Sequence, residues 1–160
     1  MGMILSLHAI TGAVIGSSVE NPLESSILAL ISHYFIDFLP HFDYKIENIQ
    51  KGDWKSASPE FLKIAADLII SGAIVTFVIY KNPANILSIL LATFFSLFPD
   101  GLMLVHFIFS KKSPELFISK FLAKHYEFHY KMHSSVRSVT AISVIAQSLL
   151  IIFLIVMVFG

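Results

Sequence analysis

Seven histidines and no cysteine occur in this chain, and most of the histidines stand at helical spacing from one another or from aspartates. His33, Asp37 and His41 follow at i, i+4 and i+8, and so do His125, His129 and His133. Each set falls on one helix face, the first provided that Pro40 bends the helix without reversing it. His8, Asp67, Asp100 and His106 interrupt otherwise apolar sequence. Imidazole and carboxylate without thiolate form a donor set for a divalent metal, Zn²⁺ first, with Mn²⁺ or Fe²⁺ as alternatives. More than four candidate ligands leave room for two ions, which together activate water and neutralise charge building on a phosphoryl or acyl oxygen.

The elements that must hold these groups are apolar. Of 160 residues, 56% are hydrophobic and 14% charged, with mean hydropathy +0.77; a soluble domain is ordinarily about a quarter charged. The excess gathers in five stretches, 3–19, 23–40, 61–80, 84–109 and 138–159, against the requirement of about 20 apolar residues for a crossing. The first two are short and carry polar residues, so they depend on packing within a bundle. The last has no charge. Segment 110–137 is charged and aromatic, and Ser113-Pro114-Glu115 opens it as a helix cap with proline at the first position. It is expected to be an interfacial helix carrying His125, His129 and His133. Segment 42–60 reads as a polar loop with a short helix. The expectation is an all-α, polytopic membrane bundle, 1–160, with five transmembrane helices and one cytoplasmic interfacial helix. Its first residues carry no basic leader or small-residue cleavage pattern, so they read as a retained membrane segment.

Cation placement orients this bundle. With five spans, Lys45, Lys51, Lys55, Lys111, Lys112, Lys120, Lys124, Lys131 and Arg137 share the side of the N-terminus, and Lys81 stands alone opposite. That bias puts the N-terminus on the cytoplasmic side of the cell membrane. On this layout His8 lies about 8 Å and Asp67 about 9 Å inside their spans. His33, Asp37, Asp100 and His106 also lie toward the cytoplasmic end, and the 125–133 stripe is on that side. At an offset of 59, residues 35–41 (FIDFLPH) align with 94–100 (FFSLFPD), which suggests two parallel hairpin repeats with a site at their junction. Ionisable groups within spans are costly and mark sites or pathways, although any one of them can instead hydrogen-bond across helices as packing glue.

Other chemistries fail on spacing. His125-Tyr126-Glu127-Phe128-His129 is HxExH, with Glu127 about 100° from where an HExxH protease needs its base. No adjacent histidine pair of the membrane di-iron type occurs, nor any GxSxG or phosphate-binding loop. Zero net charge supplies no bulk basic field for nucleic acid.

His8 before the small-residue run Thr11–Gly16, followed by Ser32-His33-Tyr34-Phe35-Ile36-Asp37-Phe38-Leu39-Pro40-His41-Phe42-Asp43, resembles a family of small prokaryotic membrane-bound metal-dependent hydrolases. The resemblance covers about the first 45 residues and, loosely, 96–106. It implies distant similarity to zinc-dependent phospholipase C and a helical, multinuclear zinc site that cleaves phosphate esters. The chain departs from the family in lacking an HRGxTH-type stretch, to which Lys131–Ser135 is the nearest approach. The expected ligands are His8, His33, Asp37, Asp67 and Asp100, closed by His129 or His133, with Asp43 or His41 as base or orienting group. The expected substrate is a phosphate ester or lipid headgroup at the cytoplasmic interface. A cation or proton transporter using the same residues is the main rival, but the outward halves of the first and third stretches are apolar or small. A non-catalytic scaffold is the third reading.

Overall fold

The computed structural model describes residues 2–3, 5–41, 44–109, 117–132 and 141–159. Its elements are β1 (Gly2–Met3), α1 (Leu5–Ser18), α2 (Pro22–Phe38), β2 (Tyr44–Lys45), α3 (Glu47–Lys51), α4 (Ser58–Lys81), α5 (Ile86–Phe109), α6 (Phe117–Met132) and α7 (Ala141–Phe159). Among the described residues the chain is all-α apart from one short antiparallel pairing, Gly2 with Lys45 and Met3 with Tyr44.

Local sequence explains the boundaries. Asn21 caps α2, its side-chain oxygen accepting from Leu23 N at 3.0 Å and Glu24 N at 3.4 Å, with Pro22 in the first turn. Pro40 disfavours helix at Leu39, so α2 stops at Phe38. Gly52, at φ 68°, ends α3 in the left-handed region. Pro59 starts α4, and Asn82 and Pro83 break the chain before α5.

Among the described residues, three helices, Ser58–Lys81, Pro83–Phe109 (α5 with the 3-10 turn that precedes it) and Ala141–Phe159, are long and apolar enough to cross a membrane. They expose large side chains such as Leu62, Ile69, Leu87, Ile152 and Phe153, a surface that water penalises and lipid does not. This marks a membrane-associated protein. Helices α1 and α2, at 14 and 17 residues, reach about 21 and 26 Å along their axes, short of an apolar layer about 30 Å thick.

These two helices instead pack on α5. Gly12 and Gly16 form a GxxxG face on α1. A Cβ on Gly12 would lie 2.7 Å from the Ala92 carbonyl oxygen and 2.8 Å from Thr93 Cα, and one on Gly16 would lie 2.5 Å from Ile89 Cα. Backbones can approach this closely only without side chains. At the end of α1, Asn85 Nδ2 donates to the Ser17 carbonyl (2.8 Å) and Ser88 Oγ to that of Glu20 (2.6 Å), satisfying acceptors the helix leaves open. Val75 and Val78 of α4, Val14 of α1, Ile89 of α5 and Leu154 and Val158 of α7 share one apolar core. The opposite end gathers the start of α1, the end of α2 and the later half of α5, with α6 packed against α2 and α5.

The segments matched by the offset of 59 differ in form. Pro40 terminates α2, whereas Pro99 lies inside α5.

Candidate metal centre

Four helices deliver five ionisable side chains to one buried cluster: His8 from α1, His33 and Asp37 from α2, Asp100 from α5 and His129 from α6. All are at most 5% exposed, His33 not at all. Asp37 is central. Its Oδ1 lies 3.2 Å from His8 Nε2, and its Oδ2 lies 3.2 Å from His33 Nε2 and 3.0 Å from His129 Nε2. His129 Nε2 is 3.6 Å from Asp100 Oδ1. Among the described residues, two groups lie within ligand range of one ion, His8–His33–Asp37 and His33–Asp100–His129, joined by His33.

The His33 ring has a fixed role. Its Nδ1 lies 2.7 Å from the Ser96 carbonyl oxygen, which can only accept, so Nδ1 carries a proton, and Nε2, 3.2 Å from Asp37 Oδ2, is the nitrogen left for a metal ion or a second proton. This is the outer hydrogen bond that orients metal-ligating histidines. Ser96 also donates from Oγ to the His8 carbonyl at 2.7 Å. One serine of α5 thus fixes the helices bearing His8 and His33. Pro99, three residues later, cannot donate to the Phe95 carbonyl, so α5 lacks one backbone hydrogen bond beside this junction.

A divalent ion fits these donors. His33 Nε2 and His129 Nε2 are 2.9 Å apart; with His33 Nε2 unprotonated, that contact needs a proton from His129 or a cation between the rings. Ligands about 2.0–2.1 Å from one ion are separated by about 2.9 Å at right angles and about 3.3 Å at the tetrahedral angle. The cluster's own contacts, 2.9 to 3.6 Å, bracket those edges. His8 Nδ1 is buried and has no hydrogen-bond partner among the described residues.

Tyr34 and His125 form the half-buried edge. Tyr34 meets the His33 and His129 rings edge-on, and its hydroxyl lies 3.4 Å from His125 Nε2. Burial, then the neighbouring His129 and His33, push His125 down to about 4, so it is neutral at pH 7.

The remaining sequence candidates lie elsewhere. Asp67 is expected among the ligands, but its Oδ2 accepts from Leu5 N at 2.6 Å and Ser6 N at 3.1 Å, with Tyr44 Oη at 3.4 Å. It caps the N-terminus of α1, where a carboxylate meets unpaired N–H groups and the positive end of the helix dipole. His41 does not continue the α2 stripe, because the helix has already ended. Its Nδ1 donates to the Leu39 carbonyl at 2.7 Å, and it lines a small cavity with Leu7, Ile36, Pro40 and Gln147. His106 stacks on Tyr126, ring centroids 5.1 Å apart. Asp43 and His133 lie outside the described residues.

Sequence reasoning missed Glu60, Ser96 and Tyr34. Buried Glu60 caps α3, accepting from Asn48 N (3.0 Å) and Ile49 N (2.9 Å); its first-turn position in α4 gives no hint of this. Ser96 aligns with Asp37 in the 59-residue offset, the one available signal, and Tyr34 adjoins His33. No family model, curated protein or solved structure matches the chain, so its chemistry is read from its own residues.

Proposed function

We propose that this protein is a metal-dependent membrane hydrolase acting on phosphate esters, with lipid headgroups as the substrate class. The supporting observation is the buried His8–His33–Asp37–Asp100–His129 cluster, in which the Ser96 carbonyl sets the His33 tautomer for ligation. These five residues would hold the metal, Zn²⁺ first and Mn²⁺ or Fe²⁺ as alternatives. Asp37, with its two oxygens facing different histidines, is the group able to bridge a second ion. A bound divalent ion supplies an electrophile for the phosphoryl oxygen and a water acidic enough to attack near neutral pH. Tyr34 Oη and His125, at the half-buried edge, are the polar groups placed to orient an incoming phosphate.

The full reading has five spans, α4, α5 and α7 by their own length and the shorter α1 and α2 through their packing on α5, with the N-terminus and cluster at the cytoplasmic face of the cell membrane, following the cation bias. The α1–α5 glycine seam favours hydrolysis over transport. Beyond the cluster, Gly12 and Gly16 press directly on α5, bringing the two backbones too close for a hydrated ion to pass between them.

Elemental analysis of the purified chain, followed by hydrolysis assays on phosphomonoester, phosphodiester and phospholipid substrates, tests this reading. Stoichiometric metal that falls in Asp37→Asn, together with metal-dependent phosphate-ester cleavage, is expected. Absence of metal, or metal with cation flux in liposomes and no hydrolysis, would overturn it.

A further inference from the structure

Helix α6 repeats one short unit three times: Phe117-x-x-Lys120, Phe121-x-x-Lys124 and Phe128-x-x-Lys131. The phenylalanines stand at i, i+4 and i+11, and so do the lysines. On a helix each set covers an arc of about 40°, and the two stripes run side by side about 60° apart. All six side chains are exposed. The opposite face is buried through Ser119, Leu122 and His129. This outward surface is therefore a row of aromatic rings flanked by a row of ammonium groups, with Glu127 the one exposed acid on α6.

We propose that this face of α6 docks onto anionic phospholipid headgroups of the membrane in which the apolar helices sit. The chemistry is complementary on both sides. Phenylalanine rings enter the boundary between headgroups and acyl chains, while lysine stems lie along apolar surface and lift their charges to the phosphates. Three lysines less one glutamate leave two net positive charges, each worth roughly fivefold in association near an anionic leaflet. Phe128 also meets Tyr34 edge-on at 5.4 Å, so the aromatic stripe runs up to the metal cluster. Docking sets the cluster beside the phosphodiesters of anionic lipids and, if the hydrolase reading holds, names them as its substrate class. The docking itself rests only on the membrane placement.

Amide exchange over residues 117–132 tests the docking. The full chain is placed in nanodiscs of phosphatidylcholine alone, or with about a third phosphatidylglycerol, at low salt. Exchange should slow by roughly tenfold or more in the anionic discs, and the difference should fade at about 0.5 M salt. It should vanish in the Lys120→Ser/Lys124→Ser/Lys131→Ser variant. Equal exchange in both discs, or a difference that survives the triple substitution, overturns the proposal. So does equal slowing in neutral discs on adding inorganic phosphate, which would mark a soluble-anion site. The readout requires no metal, so a chain that binds none yet shows the difference loses the hydrolase reading and keeps the lipid contact.

Discussion

The Nε2 atoms of His33 and His129 lie 2.9 Å apart although the two residues are 96 positions apart in the chain. His33 arrives on a helix that packs along α5, and His129 on a helix that lies across α2 and α5. Their contact point is also where Asp37 reaches both rings, so changes at either histidine are read at one place.

Removing either imidazole should therefore weaken metal binding sharply. His33→Ala and His129→Ala are each expected to lower affinity by at least about tenfold, the scale of losing even an outer-shell partner. Protons compete with the metal for the ligand nitrogens, so affinity should fall as pH is lowered. Titration with Zn²⁺ or Mn²⁺ at several pH values measures both effects. Unchanged affinity in both variants would remove these two residues from the centre.

Asp67 should behave oppositely. Asp67→Ala leaves the first N–H groups of α1 without their acceptor and should cost about 0.5–2 kcal/mol of stability. Metal stoichiometry should stay as in the parent chain. Thermal unfolding in detergent, paired with elemental analysis, separates a cap from a ligand.

Gly12→Ala introduces a Cβ against the Ala92 carbonyl oxygen and Thr93 Cα. Forcing α1 away from α5 should cost about 1–3 kcal/mol. It should also stretch the Ser96–His8 hydrogen bond and lower metal affinity. Gly72→Ala is the control, because a Cβ there meets nothing within 4 Å, and alanine should be neutral or slightly stabilising in that helix.

His125 gives a pH prediction. Its folded-state value, about 4, lies below the ordinary imidazole value of 6.5, so between these limits the unfolded chain binds more protons. Stability tied to this group is then full above about pH 6.5 and is lost as pH falls toward 4. His125→Gln should flatten the fall of Tm across that window. A parallel fall in both proteins would show that other groups govern the acid limb.

The convergence of His8, His33, Asp37 and Asp100 was legible in the sequence because depth along apolar stretches can be counted in residues. Rotation about the helix axis cannot be counted so easily. Asp67 lies at a similar depth in α4, yet it faces the first turn of α1 rather than the cluster. The stripe through His41 failed on proline: Pro40 acts through Leu39 and ends α2, whereas Pro99 is absorbed within α5. The three apolar helices were evident from length and hydropathy. The tautomer of His33 depends on a backbone carbonyl of Ser96, a group every residue carries, so no residue type could announce it.

The contributing side chains run from His8 near the start of the chain to His129. A nascent polypeptide thus cannot assemble the full donor set until α6 has left the ribosome and come to rest on α2 and α5. Ion uptake would come late in biogenesis, acting as a latch that closes on a correctly inserted chain and leaves misassembled ones unlatched and open to proteolysis.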